Sequence, residues 1–182
     1  MKCSASSSPK TQQSQTITDD IPPPCAAEVR VTGDNCDAMK IRPYSRRVFY
    51  YETDKMGIVH HANYIRWFEE ARVDIIEQAG LPYEKIEESG LMSPVLSVSC
   101  EYRLPFKFGD EFVIKAYIPD FSKLRFAVEY EVFDGEGVLH ATGTTTHCFL
   151  NEDMRPVRIK NSHPEVYAVY DELSRTGKEL YR

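Results

Sequence analysis

The sequence predicts an α+β domain in which a curved antiparallel sheet wraps around one long central helix. One strongly amphipathic stretch starts near Asn63, and segments of alternating apolar and polar residues joined by tight turns follow it. The apolar stripe of a long helix must be buried, and an antiparallel sheet is the surface that this chain offers to cover it. The length of 182 residues fits a single domain with a substantial core.

The long helix is predicted between Asn63 and Ala79. Its apolar residues recur at spacings of three and four, and most charged residues lie off that stripe. The stripe consists of Tyr64, Trp67, Phe68, Ala71, Ile75 and Ala79. Gly80 and Pro82 supply the expected C-terminal stop, and a second short helix is predicted over residues 83–88.

Strands are predicted on both sides of the long helix. Before it, residues 46–52 alternate and predict a largely buried strand whose aromatic residues, Phe49, Tyr50 and Tyr51, belong to the core. After it, four strands are predicted around residues 96–102, 112–118, 124–132 and 138–150, with a hairpin turn at residues 134–137. A last helix is expected to start at Pro164, since proline suits the first helical turn.

Composition divides the chain into three regions. Residues 1–43 are rich in Ser, Thr, Gln and Pro and predict a disordered N-terminal tail. Residues 44–160 carry the sheet and the long helix, and residues 161–182 form a C-terminal helical extension. The strand faces are too apolar for one small domain to cover, which predicts self-association through a sheet edge.

Charge and composition exclude several classes of function. The net charge of -6 gives no signal for nucleic acid, and the chain holds no apolar run of the roughly 18 residues that a membrane span needs. The five cysteines lack CxxC and zinc spacing, which predicts reduced thiols in a reducing compartment. A cytoplasmic protein is expected, although the acid-free first 18 residues leave an organelle signal open.

Asp54, Gly57 and His61 stand where the first strand gives way to the long helix. A helix N-terminus carries free N–H groups and a partial positive charge, so it can hold a carboxylate or polarise a carbonyl. Asp54 is therefore predicted to be a nucleophile or general base, with a turn or capping role as the alternative. The His61 N–H is a candidate donor to an oxyanion, while His60 and His61 are too few ligands for a metal site.

Other polar residues are weaker candidates. Asn63 is placed to bond the Asp54 loop or to cap the helix. Glu69 on the long helix is an alternative carboxylate, although an exposed helical acid is the simpler interpretation. Four cations near strand ends are able to bind a phosphorylated ligand together, namely Arg103, Lys107, Lys123 and Arg125.

The segment at residues 50–72 reads YYETDKMGIVHHANYIRWFEEAR, and it resembles the signature of hotdog-fold acyl-CoA thioesterases. The group that it resembles is the 4-hydroxybenzoyl-CoA thioesterase type with its bacterial acyl-CoA hydrolase relatives, over residues 44–160. The resemblance implies a hotdog fold and hydrolysis of an acyl- or aroyl-CoA to free acid and CoA, without a metal or redox cofactor. It also implies a homodimer or homotetramer that binds CoA across a subunit interface.

The resemblance implies roles for individual residues as well. Asp54 matches the catalytic aspartate, which attacks the thioester carbonyl or activates a water to do so. The His61 N–H matches the group that polarises the thioester oxygen, with assistance from its ring. The expected substrate- and CoA-binding residues are Tyr51, Gly57, Asn63, Lys123 and Arg125.

Two other functions stay open at this point. A hotdog hydratase or dehydratase moves protons with a histidine and a carboxylate, for which His61 and Glu69 are available. The Asp54 to Gly57 turn fits the hydrolase pattern better. A non-catalytic acyl-binding module would keep the fold and bind ligand without releasing thiol.

Overall fold

The computed structural model describes residues 41–122 and 124–181. The elements in chain order are β1 (Tyr44–Arg47), a 3-10 turn (Tyr50–Glu52), α1 (Ala62–Gln78), α2 (Tyr83–Glu88), β2 (Val95–Tyr102), β3 (Glu111–Phe121), β4 (Arg125–Asp134), β5 (Leu139–Cys148), α3 (Ile159–Ser162), α4 (Pro164–Thr176) and a final 3-10 turn (Gly177–Tyr181). Residues 1–40 of the predicted tail, and Lys123, lie outside the described residues. In the described ranges, no helix is long and apolar enough to cross a membrane.

The strands form one antiparallel sheet in the order β1-β3-β4-β5-β2. Tight hairpins join β3 to β4 and β4 to β5, while β1 and β2 occupy the two edges. The predicted alternation in β3 and β4 is confirmed, since one face of each is buried, with Phe112, Ile114, Ala116, Ile118, Phe126, Val128, Tyr130 and Val132. Period-two alternation thus gives the sheet one apolar face.

α1 packs on that apolar face. Trp67 stacks on Phe112 of β3 with 4.1 Å between ring centroids, and Phe68 stacks on Tyr130 of β4 at 4.4 Å. The closest approach is at Gly143 of β5, where an added Cβ would lie 2.2 Å from the Phe68 ring. The predicted stripe is confirmed as buried, or partly buried for its last member: Tyr64, Trp67, Phe68, Ala71, Ile75 and Ala79. The architecture is the predicted hotdog arrangement, a sheet around one long helix.

The prediction of a buried strand over residues 46–52 is wrong in its second half. β1 ends at Arg47, and the chain then turns through a short 3-10 helix. The aromatic residues that were predicted to be core are exposed, namely Phe49, Tyr50 and Tyr51. The reason is the buried carboxylate of Glu52, which accepts the Phe49 N–H at 2.8 Å and closes a turn that an extended strand does not make.

The C-terminal segment is part of the same core. α4 begins at Pro164 as predicted, and its buried side chains include Val166, Tyr170 and Leu173. Beyond the short β1, the Tyr181 hydroxyl donates to the Ala116 carbonyl and accepts its N–H, both at 2.9 Å. The extension therefore closes the part of the β3 edge that β1 leaves open.

Two buried polar residues, Arg72 and His147, were not predicted from the sequence. Arg72 is 1% exposed and pairs with Glu69 one turn earlier on α1. His147 on β5 is fully buried, stacks on Phe126 at 4.6 Å and shares a 2.8 Å hydrogen bond with the Thr145 hydroxyl. Burial, and next the nearby Arg72 cation, lower the pKa of His147 to about 4. His147 is therefore neutral in the folded protein at neutral pH.

Gly143→Ala is expected to destabilise the protein by about 1–3 kcal/mol, because the added methyl group overlaps the Phe68 ring in a packed core. Gly135→Ala is the matched control, since nothing lies within 4 Å of a Cβ at that turn. The control should change the free energy of unfolding by less than about 0.5 kcal/mol. Chemical denaturation measures both variants, and equal stabilities would contradict the close contact between α1 and β5.

Lowering the pH from 7 to 5 should remove about 2 kcal/mol of unfolding free energy through His147 alone. The pKa of His147 is 6.5 when unfolded and about 4 when folded, so the unfolded chain binds more protons in this window. The loss begins near the unfolded pKa and levels off below the folded one. Chemical denaturation at both pH values should show a smaller loss for His147→Gln, and the same loss in both proteins would refute the assignment.

Candidate active site

Asp54 lies at the start of a tight turn that precedes α1. Its carbonyl accepts the Gly57 N–H at 2.9 Å, and its carboxylate oxygen Oδ1 accepts the Met56 N–H at 2.8 Å. Gly57 has a φ of +76°, a left-handed conformation that favours glycine. The Asp54 N–H donates to the Ile58 carbonyl at 2.9 Å and closes the loop from the other side. Three hydrogen bonds therefore close the turn that carries the carboxylate.

The N-terminus of α1 follows directly. His61 is the N-cap residue, and its own side chain makes no capping hydrogen bond. The Ala62 N–H donates to His60 Nδ1 at 3.3 Å, and the His60 and His61 rings lie with their centroids 4.2 Å apart. Free N–H groups at a helix start carry a partial positive charge that favours anions. The helix thus presents a polarising end beside the Asp54 turn.

Asp54 and His61 line one cavity of about 290 Å³. Its walls come from the turn, from the first turn of α1 and from the end of β2 with the loop after it. The lining residues are Asp54, Met56, Ile58, Val59, His61, Tyr64, Tyr102, Arg103, Leu104 and Pro105. Among these residues Asp54 supplies the one carboxylate. The geometry joins an acid to a helix N-terminus inside a partly apolar cavity, which suits attack on a carbonyl.

Two tyrosines in this cavity were not predicted as site residues. The Tyr102 hydroxyl donates to the His61 carbonyl at 3.1 Å, and the Tyr64 and Tyr102 rings meet edge to face at 5.1 Å. Burial raises the pKa of both phenols to about 12, so both stay protonated at neutral pH. They hold the first turn of α1 against β2, which leaves Asp54 and His61 as the lining residues to consider for proton transfer or attack on a carbonyl.

The predicted binding residues are spread more widely. Gly57 belongs to the Asp54 turn itself. Tyr51 is 72% exposed, stacks on Phe49 and does not line the Asp54 cavity. Asn63 is buried, and its side-chain amide donates to the Glu52 carbonyl at 2.7 Å. Asn63 therefore bonds the loop before Asp54, which is one of the two roles that the sequence left open.

Arg125 lies at the other end of the sheet. The register pairs Tyr102 with Ala141 of β5 but Arg125 with Cys148, seven residues further along. That length of strand is about 23 Å, so a single chain does not bring Arg125 to the Asp54 cavity. The cation on the cavity wall is Arg103, whose side chain is 53% exposed.

Glu69, the alternative carboxylate, lines a different cavity of about 350 Å³. It pairs there with the buried Arg72, whose guanidinium Nη1 also lies 3.4 Å from the Ser93 hydroxyl. The remaining walls come from α2, from the segment before β2 and from the loop after β5. The structure therefore separates the two carboxylates that the sequence offered, and Asp54 alone shares a cavity with the start of α1.

Comparison with known proteins assigns the family. A family model described as the thioesterase-like superfamily matches residues 48–169. YneP of Bacillus subtilis, a candidate acyl-CoA thioesterase, is 31% identical over 129 residues, which cover 70% of this chain and 94% of YneP. A candidate esterase of Aquifex aeolicus is 41% identical over 107 residues, which cover 59% of this chain and 83% of that protein.

The fold is shared with a solved thioesterase. The crystal structure of DHNA-CoA thioesterase from Staphylococcus aureus matches with a TM-score of 0.71 and 32% sequence identity, and the match covers 75% of this chain and 92% of that one. The region matched by the family model includes the Asp54 turn, α1 and the strands β2 to β5. The family model covers most of this chain and the solved structure shares its fold, so the chain belongs to the thioesterase-like superfamily.

Proposed function

We propose that this protein hydrolyses the CoA thioester of an acyl or aroyl acid to the free acid and CoA. The observation that carries the proposal is the cavity that Asp54 shares with His61, the N-cap residue of α1. Family membership supports it, as do the names of the two relatives that describe thioesterases of acyl-CoA and of DHNA-CoA. The substrate thioester enters at the cavity that opens between the turn and the end of β2.

The reaction follows from the charges in that cavity. The thioester oxygen lies toward the first-turn N–H groups of α1, with the His61 N–H as the main donor, and the helix end stabilises the oxyanion that develops. Asp54 either attacks the carbonyl carbon or takes a proton from an attacking water. The C–S bond then breaks and CoA leaves as the thiolate. In the first route, water hydrolyses the resulting mixed anhydride and restores the Asp54 carboxylate. In the second route, the proton that Asp54 took from water passes to the thiolate, which also restores the carboxylate.

A second copy of the chain completes the site along β2. β2 pairs with β5 on one side, and several of its apolar side chains are 40–49% exposed, namely Val95, Leu96, Val98 and Tyr102. An unpaired edge with exposed apolar residues is a template for pairing with another strand. An antiparallel partner about a twofold axis would set its Val95 end beside the Tyr102 end of the first chain.

This pairing would bring two features close to the Asp54 cavity that are distant from it within one chain, the cavity lined by Glu69 and the Arg125 side chain. The cavity lined by Glu69 and Arg72 adjoins Val95, so in the dimer it would extend the Asp54 cavity of the other copy. Arg125 of the partner subunit would also lie toward that end, where it serves the predicted role of binding CoA phosphates. Lys123, two residues before Arg125 in sequence, has the same predicted role.

Asp54→Asn should lower the rate of thiol release by about 10²–10⁴-fold, because the amide is neither a base nor a nucleophile. The assay follows free thiol from a panel of short, long and aromatic acyl-CoAs. Asp110→Asn is the matched control, since Asp110 also accepts a turn N–H, that of Lys107 at 2.8 Å, but does not line the cavity.

The outcomes separate the candidate functions. Near-normal turnover in Asp54→Asn would remove Asp54 from the mechanism. No thiol from any CoA ester with the wild-type protein would contradict CoA thioester hydrolysis and favour a carrier-protein substrate or a binding module. Consumption of an unsaturated acyl-CoA without thiol release would indicate a hydratase.

Val98→Lys should shift the protein toward the monomer, because a charged side chain on an edge strand opposes strand pairing. Light scattering coupled to size exclusion measures the change, and thiol release should fall with the dimer fraction. Val138→Lys is the control, since Val138 is 43% exposed compared with 40% for Val98 and lies outside β2. A Val98→Lys protein that stays dimeric and active would place the interface elsewhere.

A further inference from the structure

Glu52 is a carboxylate buried in the core two residues before Asp54, with 2% of its surface exposed. Its Oε1 accepts the indole N–H of Trp67 at 2.8 Å and pairs with the Arg46 guanidinium. Its Oε2 accepts the Phe49 N–H at 2.8 Å. One carboxylate therefore ties together β1, the 3-10 turn and the middle of α1.

The backbone of the same residue holds the start of α1. The Glu52 carbonyl accepts the His60 N–H at 2.8 Å and the Asn63 side-chain amide at 2.7 Å. The segment that carries Asp54 and His61 is thus anchored through Glu52 at its beginning and again at its end. A displacement of Glu52 moves the acid and the polarising helix end relative to each other.

We propose that Glu52 is a positioning residue, which fixes the Asp54 turn against the N-terminus of α1 for the reaction proposed above. The proposal rests on that function, because the geometry that Glu52 sets is the geometry that the thioester requires. Loss of about 1 Å in the placement of a reacting group is enough to cost up to about 10²-fold in rate. A buried ion pair seldom adds much net stability, so fixing this geometry is the role that the contacts of Glu52 support.

Glu70, the second carboxylate that pairs with Arg46, provides the matched control for Glu52. The Arg46 guanidinium pairs with Glu52 and also with Glu70, at 3.2 Å from Nε to the Glu70 carboxylate. Glu70 lies on α1 with its side chain 40% exposed, and it also accepts the Tyr44 hydroxyl. Glu70→Gln therefore removes one of the two carboxylates that pair with Arg46 and leaves the segment that carries Asp54 unchanged.

The experiment compares Glu52→Gln with Glu70→Gln in the full-length protein, using the acyl-CoA that the wild type hydrolyses fastest. Glu52→Gln should lower kcat by about 10–100-fold, with KM changed by less than about threefold. Glu70→Gln should keep the wild-type kcat. All assays run well below the thermal midpoint of the least stable protein, so that a merely destabilised variant would still turn over normally.

Amide hydrogen exchange supplies a readout that does not need activity. Exchange across residues 54–62 should be faster in Glu52→Gln than in Glu70→Gln, because the anchored segment opens locally. Wild-type kcat in Glu52→Gln, or equal exchange in the two variants, would overturn the proposal. If the wild type releases no thiol, the proposed function fails, and the exchange data alone decide whether Glu52 holds this segment.

Trp67→Phe covers the case in which Glu52→Gln does not fold. This variant keeps the Glu52 carboxylate and its Arg46 partner but removes the hydrogen bond to α1. It should lower kcat in the same direction by a smaller factor and speed exchange in the same segment. A folded Trp67→Phe protein with wild-type kcat and exchange would refute the coupling between Glu52 and α1.

Discussion

The burial of the α1 stripe on the sheet is the constraint from which the site follows. Phe68 fits over Gly143, where an added Cβ would collide with its ring, so this contact sets how closely the helix approaches β5. Tyr64, one turn earlier, then meets Tyr102 at the end of β2. The N-terminus of α1 must therefore emerge at that end of the strand. A cavity with a polarising helix end is a consequence of core packing before any catalytic residue is considered.

The Asp54 turn is attached to this frame by backbone bonds rather than by side chains alone. The Val59 N–H donates to the Phe106 carbonyl at 2.8 Å, and Ile58 pairs with Lys107 in an isolated bridge. These bonds join the turn to the loop after β2, while Glu52 joins it to β1 and α1. The acid is thus fixed from three sides. For the proposed reaction such fixing matters, because a reacting group that moves loses the advantage of preorganisation.

Much of the fold is readable from the sequence because its signals are local. The stripe of α1, the limits of α2 and the start of α4 at Pro164 all depend on spacing and on capping residues near in sequence. The error over residues 46–52 has the opposite origin. Apolar alternation favours a strand there, but the Glu52 carboxylate finds its partners on β1 and on Trp67, fifteen residues away, and tertiary bonds override the local pattern.

The same difference between local signals and tertiary contacts decides which site residues could be predicted. The sequence predicts Asp54, Gly57 and His61 as site residues because they are close in sequence, and because the turn and the helix start are both local motifs. Tyr102 and Arg103 were not assigned to it, because tertiary contacts bring the end of β2 to the cavity, namely the Tyr102 hydroxyl on the His61 carbonyl and the Val59 N–H on the Phe106 carbonyl. Arg125 shows the limit of any single-chain argument, since its predicted role requires the second copy that an unpaired β2 edge invites.

The proposed dimer separates the chemistry from the choice of substrate. Asp54, the start of α1 and the Glu52 anchor all belong to one chain and are fixed by its own core. The cavity wall beyond Tyr102 ends at the free edge of β2, so a partner would supply the surface that faces the acyl group. Residues at the Val95 end, including Met92 and Pro94, line the cavity that this partner would contribute. Under the proposed mechanism, substitutions there would change which acyl group fits without disturbing the Asp54 turn, because the lining of that cavity includes neither Glu52 nor its partners Arg46 and Trp67.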